Sequence, residues 1–318
     1  MPDVVCFGDL LMDFVPTASG LDFADLPTFM PVPGGAAANV AVGLAKLGVA
    51  SGFIGKVGDE PFGHVLIDTL KREGVDVSSI RLESKARTAL AFVTLTADGE
   101  RDFMFYRHPS ADMLFTPDEV DLASIERADI FHFDSISLAS PQPRETALFA
   151  ASKAKAWGKL ISYDVNLRLP LWQSDEQAKH GILEGMQYAE IVKLSDDELD
   201  FLTGSRAPEA IRKKIWHNGL RLVVLSLGQK GCIAITEQSE LAVPSLSVEV
   251  IDTTGAGDGF VAGLLSGIVA ERRVLDDDGA LFGLCRFANA VGALTTTARG
   301  AIPSLPSRKQ VDDLLANG

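Results

Sequence analysis

The stretch Ile251-Asp252-Thr253-Thr254-Gly255-Ala256-Gly257-Asp258-Gly259-Phe260 leads directly into the apolar run Val261-Ala262-Gly263-Leu264-Leu265. The small residues at 255–257 leave backbone N–H groups unshielded where a helix begins, and such a helix start attracts anions. Asp258 stands at the mouth of this anion site, where a carboxylate would repel phosphate unless it has a task. Accepting the proton of an attacking hydroxyl is such a task. A glycine-rich turn with Asp258 as an ordinary residue of the first helical turn is the alternative.

A second glycine motif lies near the N-terminus, in Pro33-Gly34-Gly35-Ala36-Ala37-Ala38-Asn39. Two glycines before an alanine-rich helix allow a ligand or another chain segment to approach the backbone closely. Asn39 adds one acceptor and two donors, which suits a polyhydroxylated ligand. A tight loop, with Asn39 bound to nearby backbone, is the alternative. Asp9 and Asp13 flank the end of the first predicted strand, where ligands gather in α/β sheets.

Two common nucleotide-binding signatures are absent from the sequence. The segment Gly52-Phe53-Ile54-Gly55-Lys56-Val57 is too short for a G-x-x-x-x-G-K-[ST] loop and lacks its hydroxyl. No G-x-G-x-x-G follows the first predicted strand, so a dinucleotide-dependent oxidoreductase is disfavoured.

Strand-like and helix-like segments alternate along the chain after residue 118. The predicted strand–helix pairs are 130–133 with 146–157, 159–163 with 175–186, and 191–194 with 196–203. Such alternation predicts a mostly parallel sheet covered by helices on both faces. Two β-rich segments, at about 10–33 and 87–107, fall outside this rhythm and predict a small β-sheet attached as a lid; the second contains an Asp98-Gly99 turn signal. No linker or repeat divides the chain, so we expect one domain over residues 1–318.

The composition is that of an acidic globular protein. Of 318 residues, 47% are hydrophobic and 23% charged, which excludes a disordered chain or a coiled coil. The 29 Lys and Arg residues against 43 Asp and Glu residues give a net charge of −14. Such a surface repels phosphate backbones and anionic lipids, so we expect neither nucleic acid nor membrane as a partner. Three widely separated cysteines and the lack of a signal-like N-terminus favour a reducing, cytoplasmic location.

The two glycine motifs together resemble the signatures of the ribokinase-like sugar kinases, also called the phosphofructokinase B family. Gly259 stands where that family usually has serine. The resemblance covers essentially the whole chain and implies a three-layer α/β/α sandwich with a small β-sheet lid. It also implies transfer of the ATP γ-phosphoryl to a sugar hydroxyl, with ATP and Mg²⁺ as cofactors.

Segments 103–114, 163–172 and 300–306 are similar to those of plant and bacterial fructokinases. Fructose is therefore the expected substrate, and fructose 6-phosphate the expected product. A kinase for another sugar, such as 2-keto-3-deoxygluconate or ribose, is the first alternative. A non-catalytic sugar or nucleotide sensor on the same fold is the second.

The resemblance also implies a role for each matching residue. Asp258 matches the catalytic base, and Gly255, Ala256 and Gly257 match the anion hole. The implied sugar-binding residues are Asp13, Gly34, Gly35, Asn39, Arg107 and Arg168. The implied nucleotide-binding residues are Lys193, Glu198, Ser226, Gly228, Gly231 and Asn289.

Metal sites and a dimer are implied in the same way. Glu198 matches a residue that organises Mg²⁺ indirectly, although Ser195 stands three residues before it where the family usually has Asn. A potassium ion is expected near Asp252 and Thr254. Pairing of the lids of two subunits is expected to form a homodimer.

Overall fold

The structure, a computed structural model, describes residues 1–17, 26, 28–95 and 101–317. The turn predicted at 97–100 and part of the predicted 10–33 segment lie outside the described residues. The strands are β1 (Val4–Phe7), β2 (Leu11–Pro16), β3 (Phe29–Gly34), β4 (Ser51–Gly58), β5 (Ile80–Glu83), β6 (Leu90–Leu95), β7 (Arg101–Tyr106), β8 (Ile130–Asp134), β9 (Leu160–Asp164), β10 (Ile191–Ser195), β11 (Leu222–Ser226), β12 (Cys232–Ile235) and β13 (Glu240–Val243). The helices are α1 (Ala36–Lys46), α2 (Pro61–Arg72), α3 (Leu122–Arg127), α4 (Pro141–Ala156), α5 (Asp175–Met186), α6 (Asp196–Thr203), α7 (Ala256–Ala270), α8 (Asp278–Thr295), α9 (Ala301–Ser304) and α10 (Arg308–Asn317).

A large sheet forms the middle layer, in the order β13-β12-β11-β10-β9-β8-β1-β4-β5. Every pairing from β11 to β5 is parallel, whereas β12 pairs antiparallel with both β11 and β13. Alternate residues of β1 enter different hydrophobic clusters: Val4 and Cys6 pack towards α1, α7 and α8, whereas Val5 and Phe7 pack towards α4 and α5. The sheet therefore buries both faces, and the predicted three-layer α/β/α sandwich is confirmed.

Helices α1 and α7 approach closely on one face of this sheet. A Cβ atom added to Gly43 of α1 would lie 2.6 Å from the Cβ of Ala262 in α7. Asn39 and Asp258 lie four residues earlier in the same two helices, on the same contacting faces. The close packing therefore brings these two polar side chains together at the helix N-termini.

A small sheet, in the order β3-β2-β6-β7, stands beside the large one. Cross-strand register puts Val32, Asp13, Ala91 and Phe105 in one row, and their neighbours Pro31, Phe14, Phe92 and Met104 in a row on the opposite face. One small hydrophobic cluster of this region consists of Leu11, Ala89 and Ala91, with Phe105 packed against it. Met12, Phe14 and Leu90 of the same sheet pack into or against a main cluster of the body.

Helix α4 begins earlier than its apolar pattern predicts. The periodic residues start at Thr146, but the helix starts at Pro141, because proline is well tolerated in a first helical turn. Short elements without a sequence pattern, such as β5 and α9, were also not predicted. Among the described helices, none has both the length and the apolar character needed to cross a bilayer.

Candidate active site

Polar side chains cluster where the parallel strands of the large sheet end. Asp9 follows β1, Asp134 ends β8 and Asp164 ends β9, while Lys193 lies near the end of β10. A cavity of about 720 Å³ opens at this edge and is lined in part by Arg168, Lys193, Glu198, Ser226, Gly228, Thr254, Gly255, Gly257 and Asp258. Ligand sites of open α/β sheets occur at this edge, because loops there diverge and leave a crevice.

Asp258 lies in the first turn of α7 and keeps part of its surface open to this cavity. Its Oδ2 accepts a hydrogen bond of 2.7 Å from Nδ2 of Asn39. Burial raises the pKa of Asp258 from 3.8 to about 6, although the Asn39 hydrogen bond opposes the rise. The negative charge of Asp164 raises this pKa further, and the positive charge of Lys193 lowers it. A carboxyl group with these properties is suited to general-base work near neutral pH.

A buried ion pair faces the glycine loop at the start of α7. Lys193 Nζ lies 3.1 and 3.3 Å from the two carboxylate oxygens of Asp164. Burial alone would lower the pKa of Lys193, but the charges of Asp164 and Glu198 outweigh it and raise the pKa. A Cβ atom on Gly257 would lie 3.0 Å from Lys193 Nζ. The ammonium group and the unshielded backbone of Gly257 thus border the same space, and both attract anions.

The start of α7 depends on glycine at two positions. Gly255, the N-cap residue, has a φ of 78°, and a Cβ there would lie 2.7 Å from the Cβ of Ala301. The N–H groups of a first helical turn have no intrahelical acceptors and remain available to a ligand. A Cβ on Gly259 would lie 2.5 Å from Oγ1 of Thr295, so that hydroxyl already occupies the space of a serine side chain.

A second cavity, of about 430 Å³, adjoins the first. Its lining includes Ser226, Gly228, Gly231, Asn289 and Phe260. Ser226, Gly228, Thr253 and Gly257 line both cavities. Asn289 donates from Nδ2 to the carbonyl oxygen of Val243 at 3.1 Å, which holds α8 against the segment after β13. Ser226, Gly228, Gly231 and Asn289 of the predicted nucleotide residues therefore line the second cavity. Lys193 and Glu198 line the first cavity, which shares Gly257 with the second.

The predicted sugar residues Asp13, Gly34 and Gly35 lie together beside Asn39. A Cβ on Gly34 would overlap Oδ2 of Asp13, and a Cβ on Gly35 would overlap the carbonyl oxygen of Asp9. Gly35 also has a φ of 116°, which side chains rarely adopt. The glycine pair is thus required for the close approach of β2 to the start of α1.

Arg107 and Arg168 have different surroundings. Arg168 lines the 720 Å³ cavity, and its Nη1 donates to the carbonyl oxygen of Leu167 at 2.9 Å. Arg107 is buried and donates from Nη2 to Oδ2 of Asp112. Its Nε has no hydrogen-bond partner among the described residues.

Glu198 forms a capping box at the start of α6. Its Oε2 accepts the N–H of Ser195 at 2.7 Å, and Ser195 Oγ accepts the N–H of Glu198 at 3.2 Å. Its Oε1 accepts the N–H of Leu167 at 2.8 Å. The serine at 195 thus preserves a helix cap, and Glu198 orders two loops of the cavity wall at once.

Asp252 performs a similar task beside the glycine loop. Its Oδ1 accepts the N–H and Oγ1–H of Thr254 at 2.8 and 2.7 Å, and its Oδ2 accepts the N–H of Gly300 at 2.9 Å. The loop before α7 and the loop before α9 are therefore joined through one buried carboxylate.

Several residues of the site were missed by sequence reasoning. Asp164 pairs with Lys193, and Asp112 pairs with Arg107. The segment 245–250, most of which lines the 430 Å³ cavity, forms neither helix nor strand and has no sequence pattern that marks it. The position of Asp164 at the end of a predicted strand was a usable signal, whereas the pairing of Asp112 depends on tertiary contacts.

The chain is similar to known carbohydrate kinases over nearly its whole length. Residues 1–308 match the family described as pfkB family carbohydrate kinase. "Probable fructokinase-4" of Arabidopsis thaliana is 50% identical over 98% of this chain and 96% of its own length. A crystal structure of fructokinase with bound ATP from Xylella fastidiosa is similar with a TM-score of 0.92 and 34% identity, covering 100% of this chain and 99% of that one.

A fructokinase double mutant from Vibrio cholerae O395, solved with fructose, ADP and potassium ion, has a TM-score of 0.88 and 33% identity, covering 99% of this chain and 98% of that one. The chain belongs to the pfkB family of carbohydrate kinases. It is accordingly a phosphotransferase that acts on a sugar hydroxyl, as the two glycine motifs imply.

Proposed function

We propose that the protein transfers the γ-phosphoryl group of ATP to the primary hydroxyl of fructose and produces fructose 6-phosphate. The observation that carries this proposal is the position of Asp258. Its carboxyl group lies at the N-terminus of α7, hydrogen-bonded to Asn39 and open to the 720 Å³ cavity, which shares Gly257 with the 430 Å³ cavity. The likeness to fructokinases over nearly the full chain supports fructose as the sugar.

The mechanism follows from this arrangement. ATP occupies the 430 Å³ cavity with its phosphates towards Gly257 and Lys193, and the sugar lies between Asp258 and the small sheet. A carboxylate is too weak a base to ionise a sugar hydroxyl in advance. Phosphoryl transfer has a loose transition state, so Asp258 accepts the proton late and contributes mainly by orienting the hydroxyl. The N–H groups at the start of α7 and the Lys193 ammonium stabilise the charge on the moving group.

Magnesium enters this proposal as a companion of the ATP phosphates. No group of three or more His, Cys, Asp or Glu side chains in the described part of the chain is arranged to hold a metal ion. Mg²⁺ usually keeps several waters and binds through substrate phosphates plus one or two carboxylates. It would therefore bind here mainly through the ATP phosphates and would not need a group of three protein ligands. Glu198, with both oxygens accepting backbone N–H groups, contributes by ordering the cavity wall. When bound, the ion neutralises phosphate charge.

Potassium near Asp252 and Thr254 remains part of the proposal. The buried Asp252 carboxylate already accepts hydrogen bonds from two loops. It therefore offers a monovalent cation a negative site that is rigid and close to the anion hole. The Vibrio cholerae structure, described as containing potassium ion, supports the idea.

We assign the small sheet the role of a lid over the sugar. The row with Asp13, Ala91 and Phe105 faces the cavity side, and Phe105 lines the cavity itself. A lid that excludes water prevents hydrolysis of ATP. On the opposite face, Phe14 and Phe92 stack with ring centroids 4.8 Å apart, and Met104 is 40% exposed.

The exposed part of this face, at Met104 and Tyr106, supports a homodimer in which the lids pair. Sedimentation in an analytical ultracentrifuge checks the dimer, and a monomer at micromolar concentration contradicts it. The expected cytoplasmic location stays a prediction.

The test of the function is a coupled ADP-release assay with Mg-ATP and a panel of sugars. The panel holds fructose, glucose, ribose, 2-keto-3-deoxygluconate and adenosine, and Asp258→Asn is the control. Turnover on fructose alone, lost in the variant, supports the proposal. Turnover on another member contradicts fructose as the substrate and favours the other-sugar alternative. Nucleotide binding without turnover on any member favours the sensor.

A further inference from the structure

An ion pair lies where the small sheet joins the body of the protein. Arg107 follows directly after β7, and Asp112 lies in the 3-10 helix Ala111–Leu114, which packs against β4 and α4. Arg107 Nη2 donates to Asp112 Oδ2. The two side chains are only 9% and 8% exposed. A pair so well buried fixes the relative position of its two elements, because separating it would leave a buried charge uncompensated.

Asp112 is itself held firmly. Its Oδ1 accepts the hydroxyl of Ser110 at 2.5 Å. The neighbouring N–H of Ala111 donates to the carbonyl oxygen of Arg87 at 2.8 Å. Asp112 is therefore a fixed acceptor, and the end of β7 is positioned against it.

Two further buried acids, Asp9 and Asp134 at the edge of the large sheet, act on the same guanidinium through their charges. Asp9, which is 4% exposed, follows β1. Burial raises the pKa of Asp9, and the positive charge of Arg107 opposes that rise. Arg107 Nε and Asp9 Oδ1 have no hydrogen-bond partner among the described residues. Of the acids whose charges act on Arg107, Asp112 is hydrogen-bonded to it, and the guanidinium keeps donor capacity for another acceptor.

We propose that Asp112 is a positioning residue for sugar binding, which holds the Arg107 guanidinium at the junction of lid and core. This inference rests on the sugar-binding role proposed above for Arg107. Without the Asp112 charge, the buried carboxyl groups of Asp9 and Asp134 are the acids that still act on Arg107. The guanidinium then shifts towards them, and the end of β7 moves with it. Asp112 thus acts on the sugar through Arg107, and the reacting atoms and the nucleotide cavity are unaffected.

The experiment is a double-mutant cycle with Asp112→Asn, Arg107→Ala and the double variant, measuring kcat and the KM values for fructose and ATP. Glu119→Gln is the matched control. Lys56 touches the same 3-10 helix through the carbonyl oxygen of Leu114 and is paired with Glu119 and Glu83. Glu119→Gln therefore also removes an acidic partner of a basic side chain, Lys56, beside this 3-10 helix.

We expect Asp112→Asn to raise the KM for fructose about tenfold, with kcat and the KM for ATP within about threefold of the wild type. The double variant should be no worse than Arg107→Ala alone, because both changes remove the same interaction. Glu119→Gln should leave the KM for fructose unchanged. Ser110→Ala, which keeps the charge of Asp112 but removes its hydrogen bond, should give a smaller rise and serves if Asp112→Asn does not fold.

An unchanged KM for fructose in Asp112→Asn, additive effects in the double variant, or an equal loss in Glu119→Gln would overturn the positioning role. If Asp112→Asn does not fold, an unchanged KM for fructose in Ser110→Ala overturns it. A normal KM for fructose in Arg107→Ala contradicts instead the sugar role of Arg107 on which the inference rests. The two failures are therefore distinguishable.

Discussion

The small sheet holds its side chains differently from the edge of the large sheet at which the parallel strands end. At the edge, Asp258 is bonded to Asn39, and Lys193 is paired with Asp164, all on elements backed by the main hydrophobic clusters. The small sheet has a separate cluster of Leu11, Ala89 and Ala91, and of its described residues only Met12 is buried in a main cluster. Part of its aromatic surface, at Tyr106, is exposed. The chemistry thus lies on rigid elements, and sugar contact is assigned to a sheet that has little core of its own.

The difference in packing indicates which kinetic property each region controls. Positioning of a base and of anion-binding N–H groups requires small tolerances, which dense packing provides. Closure over a sugar requires an element that can move, and elements with few buried contacts open at low cost in free energy. Changes at the sheet edge should therefore affect kcat, and changes in the small sheet should affect KM and stability.

The largest expected effect is that of Asp258→Asn. We expect kcat to fall by at least about 10²–10⁴, because the variant cannot accept the proton of the sugar hydroxyl. The amide can still bind Asn39, so folding and sugar binding should persist. Steady-state kinetics and the thermal midpoint measure the two effects. Asp278→Asn, another carboxylate of a first helical turn, is the control, and near-normal kcat in Asp258→Asn contradicts the assignment.

A somewhat smaller effect is expected from Gly257→Ala. The added Cβ would lie 3.0 Å from Lys193 Nζ and narrow the space for the moving phosphoryl group. We expect kcat/KM for ATP to fall by about 10², comparable with the loss of one anion-hole donor. The control is Gly283→Ala in α8, where no atom lies within 4 Å of the added Cβ. A change of less than threefold in kcat/KM for ATP in Gly257→Ala would contradict the assignment of Gly257 to the anion hole.

The pH dependence should show the raised pKa of Asp258. The base must be deprotonated to accept a proton, so kcat/KM should rise with pH until about 6 and then level off. At pH 5 the rate should be about tenfold below the plateau, since one pH unit below the pKa only about a tenth of the groups are ionised. The profile is measured in buffers of constant ionic strength. A plateau that extends below pH 5 contradicts an essential base with this pKa.

The raised pKa of Asp258 also affects the pH dependence of folding stability. Its sign is opposite to that of an aspartate whose pKa is lowered by folding. Because folding raises the pKa from 3.8 to about 6, the charged carboxylate destabilises the folded state progressively above pH 4. Asp258→Asn should therefore be more stable than the wild type at pH 8, by roughly 1–3 kcal/mol, with no such gain at pH 3.5. Urea unfolding at both pH values measures the difference, and an equal effect at both contradicts the raised pKa.

The smallest effect on chemistry is expected in the small sheet, from Phe92→Ala. Phe92 contacts the rings of Phe14, Phe29 and Tyr106. Its removal should lower the free energy of unfolding by about 1–3 kcal/mol, somewhat below the loss for a fully buried phenylalanine. The KM for fructose should rise a few fold while kcat stays within about threefold. A large loss of kcat with a normal KM would contradict the division between edge and small sheet.

Much of the fold could be predicted from the order of residues. Helices α5 and α6 begin and end as their patterns predict, and the central strands differ by one residue at most. Strong periodicity and clear start signals explain this, because they act over neighbouring residues. The local backbone conformation also explains a glycine in each motif, because a φ of 78° at Gly255 or 116° at Gly35 favours glycine.

Which polar side chains from distant parts of the sequence come into contact depends on the tertiary structure. Asn39 and Asp258 are separated by 219 residues, yet the glycine contact between α1 and α7 places them 2.7 Å apart. The pairing of Arg107 with Asp112, and the raised pKa of Asp258, likewise depend on burial and on charges from other elements. Local sequence determines the elements and supplies the chemical groups. Distances, burial and charge result from packing between elements, which no segment of the sequence contains by itself.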